Sequence, residues 1–277
     1  MEKVTFTKIN GAGNDFIFID KDSYPSLQIS PVLVRKLCHR RFGIGGDGLI
    51  TIAKTDGVDF EMTYYNADGS LGSLCGNGAR SSILFASLFG KAGADEMKFR
   101  VNNEIFSGKI ISKDMIKFYL NQPRDLKKNL IVASSLGNIN CQFLNTGSPH
   151  VIINIKDIPG FNKPISELDV IAFGKELRYS PLFAPGGANI NFIELADGKV
   201  FIRTYERGVE DETLACGTGS TAAGIIAKIV YNLNPPVALI TAGGDSLIVD
   251  FNLNGDVFEK LSLTGPANVS FKGEIYI

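Results

Sequence analysis

TLACGTGSTAAG, residues 213–224, sets a cysteine directly before Gly-x-Gly and a run of small residues. A second stretch, SLCGNGARSSIL at 73–84, repeats the phrase: Cys75 takes the place of Cys216, and Gly76 and Gly78 those of Gly217 and Gly219. The segment after each cysteine reads as a helix, from about Gly76 to Phe89 and from about Gly217 to Tyr231. Each cysteine also trails a strand-like segment, ten residues after Tyr65 and eleven after Tyr205. A lone Cys-Gly-x-Gly is an ordinary turn before a helix. Two in matching contexts, half a chain apart, mark a duplicated unit.

The segments around these phrases fit that reading. KVTFTKIN and FIFID read as strands broken by the glycine turn GAGND, and SPVLVRKLCHRR (30–41) as a helix capped by Ser30 with Pro31 at its first position. FGIGGDG then forces a loop before the strand LITIA, and MKFRVN, IFSGKII and MIKFYLN follow as strands. In the second half, QFLNTGSPHVIINI reads as strand, turn, strand, and ISELDVIAFGKELRY (165–179) as a helix. ANINFIEL, KVFIRTYERG, SLIVDFNL and VFEKLSLTG are strands.

The 277 residues exceed a usual single domain and make two domains the natural expectation. Lys plus Arg number 28 against 29 Asp plus Glu, a net charge of -1 that points neither to nucleic acid nor to a lipid surface. The partner expected is a small molecule. MEKVTFTKIN has no signal-peptide pattern, and no apolar run approaches the length of a membrane span, so the expected location is the cytoplasm. The cysteines at 38, 75, 141 and 216 form neither a dense disulfide framework nor a C-x-x-C metal pair, as suits a reducing compartment. Cys38 reads as a small buried hydrophobe and His39, beside Arg40 and Arg41, as a solvated surface residue.

A cysteine followed by Gly-x-Gly at a helix start puts its sulfur among unpaired backbone N–H groups at the positive end of the helix dipole, where thiolate is favoured. The glycines let the backbone approach an anion such as a carboxylate. Neither phrase matches the phosphate patterns G-x-x-x-x-G-K-[ST] or G-x-G-x-x-G. With one sulfur on each side of a carboxylate's Cα, a thiolate removes its proton while a thiol delivers one to the opposite face, inverting the centre without a cofactor. The bland reading is two buried cysteines in duplicated packing turns. Glu206 and Arg207 in YERG supply an acceptor for an ammonium and a bidentate donor for a second carboxylate, or else a surface ion pair. Asn66 in YNADG is an uncharged donor and acceptor. His150 is a proton partner for a thiol or a structural histidine. Asn14 and Asn189 are polar contacts or turn residues.

KINGAGNDFIFID, RFGIGGDG, YNADGS, CGNGAR and ERG…ACGTG together resemble the diaminopimelate epimerases, over nearly the whole chain. The resemblance implies an α+β fold of two pseudo-symmetric domains, each a mostly antiparallel curved sheet or barrel around a central helix. The expected domains are 1–120 with Cys75, to which 266–277, ending in the strand FKGEIYI, returns, and 121–265 with Cys216. It implies Cys75 and Cys216 as the acid–base pair inverting LL-2,6-diaminopimelate to the meso isomer, assisted by His150 and Glu206, with no cofactor and no metal. Substrate contacts carried over are Asn14, Asn66, Gly76, Asn77, Asn189, Glu206, Arg207, Gly217 and Thr218, and the expected assembly is a homodimer. Three departures stand out. Ser148 replaces the asparagine of the common G-N-P-H, Gly48 stands where some members have Gln, and the ERG-to-Cys216 spacing is one residue longer. The alternatives are a same-fold racemase for another amino acid, such as histidine or proline, a non-catalytic metabolite-binding protein, and a thiol redox switch. A pyridoxal phosphate lysine needs no local motif, but neither cysteine phrase contains a lysine.

Overall fold

The computed structural model describes residues 2–72, 74–92 and 95–277, so Ser73 of the first cysteine phrase lies outside them. The chain divides into two compact units, Met1–Tyr119 with Thr264–Ile277, and Leu120–Leu263.

The first unit contains β1 (Lys3–Gly11), β2 (Asn14–Asp20), α1 (Pro31–Cys38), β3 (Gly48–Ala53), β4 (Phe60–Asn66), α2 (Gly76–Leu88), β5 (Met97–Val101), β6 (Glu104–Ile110) and β7 (Met115–Tyr119). Pairing runs antiparallel β1–β2, parallel β2–β3, antiparallel β3–β4, parallel β4–β5, then antiparallel β5–β6 and β6–β7. The two parallel pairs each need a crossover, and α1 and α2 supply them. In α2, every residue from Gly76 to Ala86 is buried, Asn77 and Arg80 among side chains that are otherwise small or apolar. Phe85 stacks on Phe18 with ring centroids 5.1 Å apart. Val34, Leu37 and Cys38 of α1 close a separate core with Val4, Ile17, Ile19 and Leu49.

The second unit contains β8 (Arg124–Ser134), β9 (Gly137–Asn145), β10 (Pro149–Asn154), α3 (Val170–Arg178), β11 (Asn189–Ala196), β12 (Lys199–Glu206), β13 (Asp211–Thr213), α4 (Gly217–Ile229), β14 (Val237–Ile240) and β15 (Ser246–Asn254). The same order of pairings recurs: antiparallel β9–β10, parallel β10–β11, antiparallel β11–β12, parallel β12–β14, antiparallel β14–β15. Again the parallel pairs enclose the helices, α3 in the first and α4 in the second. Residues Gly217 to Ala227 of α4 are all buried. β16 (Val257–Pro266) carries the chain out of this unit, and β17 (Asn268–Tyr276) pairs antiparallel with β1. The α+β fold of two repeated halves, each a mostly antiparallel sheet around a buried helix, is thus the one expected.

Several boundaries differ. The first helix is capped by the Ser30 hydroxyl as expected but stops at Cys38, because the His39 Nδ1 accepts from the Arg41 and Phe42 amides and turns the chain away. His39 is exposed, as read, yet it holds this turn. The helix expected over 165–179 is a single 3-10 turn, Ile165–Glu167, followed by α3, whose start is set by the Asp169 carboxylate accepting from Ala172 N. β8, β13 and β14 are strands that the sequence reading passed over.

Cys38 and Cys141 are packed in the two unit cores, and burial pushes their thiols up to about 11 and about 12. Since the thiolate is the nucleophile, iodoacetamide at about pH 8 is expected to leave both unmodified in the native protein and to reach them only in denaturant. Mass spectrometry of the alkylated peptides reads this out. Native-state labelling of either would place it outside the core.

Candidate active site

Each cysteine is the N-cap of its buried helix, in nearly the same backbone geometry: φ -112°, ψ 116° at Cys75 and φ -118°, ψ 112° at Cys216. Both helices have 13 residues. Cys75 Sγ accepts from Gly78 N at 3.4 Å. Cys216 Sγ instead meets the Thr218 hydroxyl at 3.6 Å.

The glycines of the repeated phrase have steric reasons to be there. A Cβ on Gly219 would stand 3.3 Å from Cys216 Sγ and collide with Asn191 Oδ1. In the first unit, a Cβ on Gly11 would lie 2.7 Å from Ser81 Oγ and 2.9 Å from Asn77 O, so the GAGND turn closes directly on the first turn of α2.

That closure brings three expected site residues together in the first unit. Asn77 Nδ2 donates to Asn14 Oδ1 at 2.6 Å, and Asn14 Nδ2 donates to Asp47 Oδ2 at 3.0 Å. Gly76 and Asn77 form the first turn of the Cys75 helix. Asn66 ends β4, opposite Gly48, and its Nδ2 donates to Ser70 Oγ at 3.0 Å within its own turn. Gly48 leaves no room for the longer side chain of some relatives, since a Cβ there would meet the Tyr64 ring and Tyr65 O at 2.5 Å.

In the second unit a buried polar relay leads to Cys216. Thr204 Oγ1 donates to Asn191 Oδ1 at 2.9 Å, which turns Asn191 Nδ2 toward Val151 O and His150 Nδ1, 3.2 Å away. His150 Nδ1 therefore accepts, and the ring proton sits on Nε2, 2.9 Å from both Thr218 Oγ1 and Ser148 Oγ. The imidazole is fully buried, and that burial, with the nearby Arg207 charge, pushes it down to about 3. His150 is thus a neutral donor that reaches Cys216 through the Thr218 hydroxyl.

Asn189 spans the same corner: Nδ2 donates to Pro149 O at 2.8 Å, and Oδ1 accepts from Arg207 N at 2.8 Å. Gly217 and Thr218 open α4, and Thr146 Oγ1 donates to Thr218 O at 2.8 Å. Glu206 Oε2 accepts from Thr213 Oγ1 at 2.8 Å across the hairpin that pairs β12 with β13. The segment between ERG and Cys216 forms this hairpin, whose turn closes through Glu210 N to Glu206 O with Glu210 at φ 59°. Sequence reasoning missed Asn191, Thr204 and Thr213. The signal for Asn191 was present, because Asn189 and Asn191 alternate onto one face of a strand.

Among the described residues no group of three or more His, Cys, Asp or Glu side chains is placed to hold a metal ion, and no helix is long and apolar enough to cross a membrane. The arrangement offers, in each unit, a sulfur at a helix N-terminus, a setting suited to a carboxylate and to proton transfer beside it.

A sequence profile of the family described as diaminopimelate epimerase matches residues 6–123 and 142–269. The diaminopimelate epimerase of Flavobacterium psychrophilum is 39% identical over 275 residues, covering 97% of this chain and 98% of its own. That of Chlorobaculum tepidum is 36% identical over 273 residues, covering 96% and 99%. Among solved structures, a probable proline racemase from Agrobacterium radiobacter superposes with a TM-score of 0.76 at 11% identity, covering 99% of this chain and 93% of that one. A PhzF-family phenazine biosynthesis protein from Bacillus anthracis gives 0.73 at 15% identity over the full length of both. At these identities the structures share the fold.

The neutral His150 has a consequence for stability. Between its ordinary value of 6.5 and about 3, the unfolded chain binds a proton at this ring that the folded chain refuses, so stability falls as pH drops through that window. Denaturant unfolding at about pH 7 and about pH 5 is expected to show a smaller acid loss in His150→Asn than in wild type. Equal losses would mean that the ring is not held neutral.

Proposed function

This chain belongs to the diaminopimelate epimerase family, and from that premise we propose that it inverts one Cα of LL-2,6-diaminopimelate to give the meso isomer, with Cys75 and Cys216 as acid and base. The observation that carries the mechanism is the pair of thiols capping two equivalent buried helices.

The substrate's α-carboxylate is held by the helix-end N–H groups around Gly76, Asn77, Gly217 and Thr218. There it accepts the charge that develops when the Cα proton leaves, as helix N-termini are suited to do. One sulfur, as thiolate, takes that proton and becomes a thiol. The other gives its proton to the opposite face and becomes a thiolate, so the two exchange charge states in each turnover. No electron leaves the substrate, and the step balances without a cofactor. At Cys216 the Thr218 hydroxyl, held by His150, donates to the thiolate or accepts from the thiol; this supports an assisting role for His150 as a polariser rather than a base. Arg207 pairs with the distal carboxylate, while Glu206, Asn14, Asn66 and Asn189 address the remaining polar groups of the zwitterion.

The product is a precursor for lysine and cell-wall synthesis. The enzyme works as a cytoplasmic homodimer, a reading supported by four cysteines that are all free thiols and by the family resemblance. A binding protein or a racemase of monocarboxylate amino acids lacks an explanation for Arg207 beside the second thiol's strand.

Purified, reduced protein is expected to turn over diaminopimelate far faster than histidine or proline. Arg207→Ala should lower kcat/KM by about a hundredfold or more, the scale for leaving a buried carboxylate unpaired. Serine at either Cys75 or Cys216 should abolish turnover, because a hydroxyl supplies no base at neutral pH. Comparable kcat/KM on a monocarboxylate amino acid would contradict the substrate assignment.

A further inference from the structure

Asp47 stands at the head of a line of side chains that ends in the first turn of the Cys75 helix. Its Oδ2 accepts from Asn14 Nδ2 at 3.0 Å; Asn14 Oδ1 accepts from Asn77 Nδ2 at 2.6 Å; Asn77 Oδ1 accepts from the Arg80 Nη2 at 2.8 Å; and Arg80 Nη1 donates to Gly76 O at 3.3 Å. Asn77 and Arg80 are buried. An ionised carboxylate can only accept and a guanidinium can only donate, so the two ends fix the direction of both amides between them. If either asparagine turned over, nitrogen would face nitrogen or oxygen would face oxygen.

Asp47 is itself pinned. Asp15 N donates to Oδ2 at 3.1 Å, and Arg40 Nη2 donates to Oδ1 at 2.7 Å. Arg40 also grips Asp15 through both carboxylate oxygens, at 2.7 and 2.9 Å, with the buried Lys8 ammonium 2.9 Å from Asp15 on the other side. Asp15 is half-buried, a cost that these cationic partners outweigh to hold its carboxyl below the ordinary range. The charge of Asp47 is therefore kept in place by a framework independent of any ligand.

We propose that Asp47 is a positioning residue for the substrate: through Asn14 and Asn77 it imposes a single orientation on the two amides at the mouth of the Cys75 helix. This rests on the proposed role of Asn14 as a substrate contact. With its Oδ1 and one N–H committed inward, Asn14 presents its second N–H, a donor fit for a carboxylate oxygen. The Asp in FGIGGDG is thus what gives that glycine loop its sign.

Asp47→Asn keeps the shape and removes the obligatory acceptor. Whichever way the new amide turns, its NH₂ faces either Arg40 or the Asn14 and Asp15 donors. KM for diaminopimelate should rise about tenfold or more, the scale of a lost charge-assisted hydrogen bond, with kcat changed by less than about threefold. A fall in kcat as large as the rise in KM would mean a merely structural network. The second readout needs no turnover. In ¹⁵N spectra of the ligand-free wild type, the Asn14 side-chain amide protons should be shifted and slow to exchange, and should move to the exposed range in Asp47→Asn. Wild-type-like KM and Asn14 signals in Asp47→Asn would overturn the proposal. If the wild type fails to turn over diaminopimelate, it is the proposed activity that has failed, and the spectra alone decide the role of Asp47.

Discussion

A sulfur placed at the N-terminus of a fully buried helix is the constraint on which each half of the chain depends. The first turn of any helix leaves N–H groups unpaired, and burying that end requires a partner for them. In both units the cap is a cysteine, whose side chain is a poor hydrogen-bonding substitute for Ser, Asp or Asn. A helix end of this kind is suited to an anion. The rest of the architecture follows from keeping such a helix buried: small residues on all faces of α2 and α4, strands on every side, and parallel pairs whose crossovers deliver the helices.

The polar groups around the two sulfurs are ordered from outside inward by charge or by donor count. In the first unit a carboxylate and a guanidinium impose direction on Asn14 and Asn77. In the second, a threonine hydroxyl and a strand carbonyl orient Asn191, Asn191 sets the tautomer of His150, and His150 sets the Thr218 hydroxyl beside Cys216. The two thiols are thus alike in backbone and different in polar company, one facing a helix amide and the other a side-chain hydroxyl. Ser148 belongs to the second set. Its Oγ lies 2.9 Å from His150 Nε2 and 3.3 Å from Asn189 Nδ2, so the hydroxyl that replaces a longer asparagine is turned to the relay.

Much of this was legible in the chain. The repeated cysteine phrase gave both central helices within two residues, because small residues and glycines at those positions have no other economical packing. What remained hidden depended on partners distant in sequence. β8 escaped notice because Asp125 and Asn129 adopt positive φ and shift its register twice against β9, which breaks the alternation a strand normally shows. β13 is three polar residues held only by its hairpin to β12. The charge state of His150 is a product of complete burial beside Arg207, and a lone histidine in TGSPH carries no mark of it. Asp47 looked like part of a glycine turn; only the fold brings Asn14 and Arg40 to its two oxygens.

The central claim is that two different sulfurs act on one carbon, and the most direct measurement of it is isotopic. LL-diaminopimelate is incubated with the reduced enzyme in deuterated water and the reaction is stopped early. One sulfur keeps the substrate's proton while the other supplies deuterium already exchanged from solvent. Newly formed meso product should therefore carry deuterium at the inverted carbon, and recovered LL substrate should remain largely unlabelled. Early product that retains the original proton would show a single base working both faces and would contradict the two-thiol mechanism.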